Sequence, residues 1–223
     1  MQGIDFAGFF RILPIIAIPL LFAITLHEVA HGWVARYFGD PTADRAGRLT
    51  LNPIKHIDPV GTVAVPLLLL FFTQGQMTFG WAKPVPVVFQ NLRNPRRDMV
   101  LVAAAGPASN LVMATGWALL AAATGTVLGL DGAVGDWVRG VCVAGILFNV
   151  ILAVFNMLPL PPLDGGRVLA GLLPPQGAML LDRIEPFGFM IVVLLMVTRV
   201  LWVVIEPFVL FFVDFFWAIA GFG

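Results

Sequence analysis

The sequence predicts an all-α polytopic membrane protein, with about four full spans, a re-entrant segment, a short C-terminal helix and a small β element near residues 80–90. Three observations carry that expectation. Of 223 residues, 59% are hydrophobic and 12% charged, where a soluble domain carries about 25% charged residues; half the usual charge does not cover a water-facing surface. Long uncharged runs recur, one of them the 32 residues between Asp98 and Asp131. A helix needs only about 20 to cross roughly 30 Å of hydrocarbon. Thirdly, 13 basic and 13 acidic residues balance to zero, which gives no cause to expect a nucleic-acid partner and leaves the lipid bilayer as the expected surroundings. The single cysteine, Cys142, can form no internal disulfide and reads as a small core residue.

Taken in order, the first span runs from about Ile12 to Ala35. The "MQGIDFAGFFR" before it lacks the positive charge of a signal peptide, and no A-x-A-like site ends the apolar run. The second span lies between Asp98 and Asp131, the third between Arg139 and Asp164, and the fourth from about Phe187 to Ile205, interrupted by Arg199. Two shorter apolar pieces, 59–72 with Pro66 and 207–221 after the Glu206–Pro207 break, suit re-entrant or interfacial segments. Prolines 84 and 86 remove backbone N–H groups from one side of an extended stretch, as an edge strand tolerates. No repeat or linker divides the chain, so 1–223 reads as a single membrane-embedded domain. No oligomeric state is specified.

Lys and Arg favour cytoplasmic loops. Arg36, Arg45, Arg48 and Lys55 follow the first span, Lys83, Arg93, Arg96 and Arg97 precede the second, and Arg167 and Arg183 lie in 164–186. The 131–138 loop holds Asp131 and Asp136 without Lys or Arg. An N-terminus outside puts all three basic loops in the cytosol, provided 59–72 enters and leaves on one side.

Between Arg11 and Arg36 lie 24 residues whose only ionisable groups are His27, Glu28 and His31. Each such group near the bilayer centre costs about 2.5–3.5 kcal/mol. On a helix, residues four apart share a face about 6 Å apart along the axis, so His27 and His31 present two imidazoles to one cation. Glu28 flanks that face, where it reaches a metal-bound water without being a ligand. This H-E-x-x-H arrangement is the zinc-peptidase geometry, two ligands and a general base. Zinc brings the pKa of bound water toward 7; imidazole and carboxylate suit other metals too, so zinc rests on the motif. His31 stands five residues before Arg36, about 7.5 Å at 1.5 Å per residue, which sets the motif just below the cytosolic surface.

A catalytic zinc needs a third protein ligand and an open position. The third span returns to the same side and ends in "FNMLPLPPLDGGR", where prolines 159, 161 and 162 stop the helix. Asp164 follows, before two glycines that permit a sharp turn and close backbone approach; D-G is also an ordinary turn dipeptide. Asn156 can donate to a substrate carbonyl or developing oxyanion, or act as helix–helix glue. Asn110, in "AAAGPASN", reads as packing among small residues. His56 can orient substrate, assist the oxyanion or pair with Asp58. The "KPVPVVF" stretch can pair with an unwound substrate strand.

"HEVAH" in a first apolar span with "NMLPLPPLDGG" in a later one resembles the site-2 protease family of intramembrane zinc metalloproteases. "GDPTADRAGRLTLNPIKHIDPVGT", "GWAKPVPV" and "GPASN" further resemble its short prokaryotic branch, without PDZ or CBS domains. The likeness covers about residues 14–170, the expected catalytic core. It implies one zinc ion per chain held by His27, His31 and Asp164, with Glu28 as catalytic base, Asn156 holding substrate and His56 within a recurring motif. It further implies single-span membrane-anchored substrates, cleaved in or near the transmembrane segment, often after another protease has shortened them, and a prokaryotic inner (cell) membrane. In the family an additional helix sometimes precedes the H-E-x-x-H span, and here only 11–15 residues do.

Three rival readings exist. A divalent-metal transporter using His27, His31 and Asp164 as a transit site predicts more carboxylates or histidines along a path through the spans, and the sequence holds one compact set. A prenyl-protein type zinc protease takes a glutamate as third ligand, but Glu185 and Glu206 each directly precede a proline. The third is a scaffold with a vestigial motif.

Overall fold

The computed structural model describes residues 6–72 and 80–222. Residues 1–5, on which the signal-peptide reading partly rests, and residues 73–79 of the 73–98 connection lie outside the described residues. In chain order the helices are α1 (Phe6–Tyr37), α2 (Thr42–Arg45), α3 (Val65–Phe72), α4 (Pro95–Thr126), α5 (Gly132–Asn156), α6 (Asp164–Leu172), α7 (Pro175–Val197) and α8 (Val200–Ala220). Among the described residues, four stretches are long and apolar enough to cross a bilayer: Ile12–Tyr37, Pro95–Thr124, Gly132–Asn156 and Val200–Ala220.

Local chemistry sets the helix ends. Pro95 opens α4 at a position whose N–H has no intrahelical partner, and the Asp98 carboxylate accepts the Asn94 N–H at 2.8 Å. α5 stops at Asn156, ahead of the prolines at 159, 161 and 162. α4 is the central helix, packed against α1, α5, α6 and α8. Its Ala114, Ala118 and Ala121 meet Cys142, Ile146 and Val150 of α5, and Leu201, Ile205, Val209 and Val213 of α8. Small side chains let backbones approach closely, which is where helix association in lipid finds its attraction. Outward, Ile16, Phe22, Leu119, Val203 and Phe211 are exposed, an apolar surface suited to hydrocarbon.

The fourth span differs from the sequence expectation. It is Val200–Ala220, not 187–205, and 207–221 belongs to it rather than forming a separate short piece. The break falls at Arg199, whose left-handed backbone (φ 62°) separates α7 from α8. Pro207 lies inside α8; in a membrane helix the one carbonyl that proline leaves unpaired can be satisfied by neighbouring groups. The half of α7 after Pro186 packs on the loop before α6: a Cβ on Gly188 would meet the Pro161 carbonyl.

Residues 59–72 form a π-helical turn, Pro59–Ala64, followed by α3. Fourteen residues reach about 21 Å as helix, short of a crossing. The chain then returns to its starting level, since the Trp81 N–H donates to the Gly61 carbonyl (3.0 Å) and Thr62 Oγ1 to the Trp81 carbonyl (2.8 Å). The β element expected near 80–90 does not form: residues 80–88 are extended but make no strand ladder. Side chains and loop carbonyls take their amides instead. Lys83 N–H donates to the His56 carbonyl (2.9 Å), Val85 N–H to Glu28 (2.7 Å) and Val88 N–H to Asp40 (2.7 Å). Prolines 84 and 86 have no N–H to offer a neighbouring strand.

Candidate active site

His27, Glu28 and His31 stand in the last three turns of α1, and Asp164 is the first residue of α6. A carboxylate in the first turn also lies at the positive end of the helix dipole. The close approach needs Gly165 and Gly166, which are helical rather than turn-forming. A Cβ on Gly165 would lie 2.2 Å from the Met157 carbonyl oxygen, and one on Gly166 2.4 Å from the Pro161 nitrogen. Asp164 Oδ2 lies 3.1 Å from His27 Nε2 and 3.3 Å from His31 Nε2, and the two Nε2 atoms are 3.1 Å apart.

Three ligand atoms about 2.0–2.1 Å from a tetrahedral zinc lie about 3.3–3.4 Å from one another, so this triangle fits the ion. Asp164 Oδ2 is buried without a hydrogen-bond donor. Each far ring nitrogen is held too: His27 Nδ1 by Asn110 Oδ1 at 2.6 Å, and His31 Nδ1 by the Val102 carbonyl at 2.7 Å. These partners orient ring and tautomer.

The small residues at 103–109 do let α4 pack closely on α1, and at Gly106 the surface they meet is the imidazole pair itself: a Cβ there would lie 2.4 Å from His31 Nε2 and 2.6 Å from His27 Nε2. Asn110, expected only to pack, holds the His27 ring. Neither residue type announces this in a sequence, although their place in "GPASN" was the available signal.

Beside the three ligand atoms is a cavity of about 150 Å³ lined by Glu28, Val85, Val87, Asn156, Asp164 and Arg167 among others. Glu28 Oε2 accepts the Val85 N–H, which holds the carboxylate at the cavity wall. Asn156 Nδ2 donates to its own helix at the Leu152 carbonyl (3.0 Å). Arg167, read from sequence only as a loop charge, lies on the cavity wall with its guanidinium 5.5 Å from the centre of the Phe89 ring.

His56 is not among the cavity residues. Its Nε2 donates to the Thr50 carbonyl (3.0 Å), and no ion pair joins it to Asp58, which caps the following turn through the N–H groups of Val60 and Gly61. Asp40, fully buried, accepts from Thr42, from Asn91 Nδ2 (2.9 Å) and from Val88 N–H. Burial opposes its ionisation, but these bonds together hold its carboxyl below the usual range.

A helix suited to lipid that carries a two-histidine ligand pair and an adjacent carboxylate defines a class, the membrane metallohydrolases. Comparison with known proteins narrows it. Residues 133–198 match the model of peptidase family M50. "Putative zinc metalloprotease YwhC" of Bacillus subtilis is 41% identical over 199 residues, covering 84% of this chain and 82% of that protein. "Putative zinc metalloprotease Rip2" of Mycolicibacterium smegmatis is 34% identical, covering 81% of this chain and 66% of that protein. The Rip2 of Mycobacterium tuberculosis H37Rv is 31% identical, with 87% and 70% covered. No solved structure matches. The chain belongs to peptidase family M50, the site-2 protease family of zinc metalloproteases. It is a membrane metalloprotease, and zinc is its cofactor.

Proposed function

We propose that this protein hydrolyses peptide bonds in or near the transmembrane segment of single-span membrane-anchored proteins. Its active site faces the cytosolic side of a prokaryotic inner membrane. One observation carries the reading: His27, His31 and Asp164 offer three ligand atoms about 3 Å apart on the wall of a cavity that also holds Glu28 and Asn156. The orientation rests on the basic residues clustered at that end, Arg36, Arg48, Arg93, Arg96 and Arg167. The Trp81 N–H bond to the Gly61 carbonyl supports reading 59–72 as re-entrant.

His27, His31 and Asp164 hold the zinc ion, which when bound supplies a Lewis acid and a water acidified toward neutral pH. Glu28 takes the proton of the attacking water and passes it to the leaving amine. Asn156, with one N–H spent on Leu152 and a second to give, steadies the substrate carbonyl oxygen as charge develops. Substrate enters as an extended chain, because a hydrogen-bonded helical carbonyl is poorly placed for attack, and the 84–89 segment on the cavity wall offers its backbone to that chain. His56 serves by bracing Lys83 rather than by chemistry.

Purified protein assayed for bound zinc and for cleavage of a single-span test substrate tests this. Glu28→Gln keeps its zinc and loses cleavage, and Asp164→Asn loses zinc. A Glu28→Gln variant that still moves metal across vesicle membranes would instead support a transporter. Among the described residues His27, His31 and Asp164 form the one cluster able to hold a metal, and a transporter calls for more.

A further inference from the structure

We propose that Asn149, on α5, which packs against both α1 and α4, is a positioning residue that sets the tautomer of His27 through Asn110; the proposal rests on the metal-site reading above. Three spans contribute to one chain of hydrogen bonds. Asn149 Nδ2 donates to the Gly145 carbonyl at 2.8 Å. Asn110 Nδ2 donates to Asn149 Oδ1 at 2.9 Å and to the Ala23 carbonyl at 3.2 Å. Asn110 Oδ1 faces His27 Nδ1 at 2.6 Å. Both asparagines have no exposed surface, so water does not substitute for any link.

The direction of this chain is forced from its ends. A backbone carbonyl only accepts, so Asn149 turns its NH₂ to Gly145 and leaves its oxygen for Asn110. Asn110 then faces two acceptors, Asn149 Oδ1 and the Ala23 carbonyl, and turns its own NH₂ to them. Its oxygen is left for His27, where Nδ1 carries the hydrogen and donates it. A neutral imidazole protonated on Nδ1 has its lone pair on Nε2, the atom 3.1 Å from Asp164 Oδ2. Were Asn110 reversed, its NH₂ would face Nδ1 and move the ring hydrogen to Nε2, in the ligand position. His31 needs no relay, because the Val102 carbonyl fixes its ring directly.

Asn149 therefore acts at a distance, by denying Asn110 its reversed orientation. Without it, the Ala23 carbonyl alone opposes the flip, through the longest bond of the set. Helix association in lipid also uses Asn–Asn pairs as glue. A glue role predicts lost stability but no change in the tautomer of His27.

The test uses the full chain in detergent with ¹⁵N-labelled histidine; only three imidazoles contribute, and that of His27 is identified by its loss in His27→Gln. In zinc-free protein at a pH where the rings are neutral, the ¹⁵N shifts distinguish the Nδ1–H and Nε2–H forms. Wild type is expected as Nδ1–H at His27. Asn149→Leu, or the smaller Asn149→Ala should leucine not be accommodated, should show Nε2–H at His27 and about tenfold weaker zinc binding in chelator competition. Asn149→Asp, neutral in this apolar place, accepts from Asn110 and donates its O–H to Gly145, so it should keep the wild-type tautomer and affinity. In an Asn110→Leu background, Asn149→Leu should change zinc affinity by less than about twofold, because its route is already cut. A His27 that stays Nδ1–H in Asn149→Leu and Asn149→Ala, or affinity losses that simply add with Asn110→Leu, would overturn the proposal. Failure of the metal-site reading shows separately, as wild-type protein that takes up no zinc.

Discussion

At Gly106 the two histidine rings come so close to the α4 backbone that an added methyl would lie 2.4 Å and 2.6 Å from their Nε2 atoms. The rings cannot retreat without breaking their bonds to Asn110 and Val102. Alanine is a better helix former than glycine by about 0.5–1 kcal/mol. Gly106→Ala is thus expected to lower zinc affinity by about 100-fold, as severe as losing an outer-shell partner, and, because overpacking costs about 1–3 kcal/mol and outweighs that gain, to lower the zinc-free melting temperature as well. Chelator competition and thermal unfolding of one preparation measure both. The spacing of His27, Glu28 and His31 was legible because all three lie on one helix, where separation in sequence fixes separation in space. Gly106 and Asn110 were not, since what they touch lies 75–83 residues away and nothing in a glycine or an amide states its partner.

Among elements, the extended 80–88 stretch depends on side chains that reach it from elsewhere. Asp40 is its anchor, joining Val88 and Asn91 to the end of α1. Because the folded carboxyl is held below its ordinary value, the native state binds fewer protons than the unfolded chain between the two pKa values. The stabilisation is therefore complete above the unfolded pKa of about 3.9 and is lost as pH falls through the lower, folded one. Thermal unfolding between pH 7 and pH 3 should show Asp40→Asn less stable than wild type at pH 7, with the difference shrinking toward pH 3. Asp40→Ala should cost about 1–3 kcal/mol by orphaning buried donors, and protease should nick the 80–94 segment first. Prolines 84 and 86 pointed to an edge strand; the N–H groups that remain found carboxylates and a loop carbonyl instead of a second strand, which pattern alone does not foretell.

For the whole molecule, zinc held by the proposed ligands would join the end of α1 to the start of α6, 133 residues apart by the numbering of His31 and Asp164. A ligand bound only by the folded state stabilises it by about 2.7 kcal/mol at one hundred times its dissociation constant. Chelation should accordingly lower the melting temperature of wild type, and should leave that of Asp164→Asn unmoved. The span at 200–220 carries a second expectation. With the buried Cys142 the only native thiol, cysteines placed at Arg199 and Gly221 should label from opposite faces of a sealed vesicle. Labelling from the same face would restore 207–221 as a segment that does not cross.

The sequence by itself determined the membrane-spanning character, three of the four spans, the two-histidine motif with its glutamate, and the family. Each of these depends on composition or on spacing within one element, where helix geometry converts residue number into position. Tertiary structure decided where the last span begins, how the 80–88 segment is held, and which backbone and amide groups enclose the ligand atoms. Those outcomes depend on which donors and acceptors meet when water is excluded between helices, and that is settled only once all the helices are packed together.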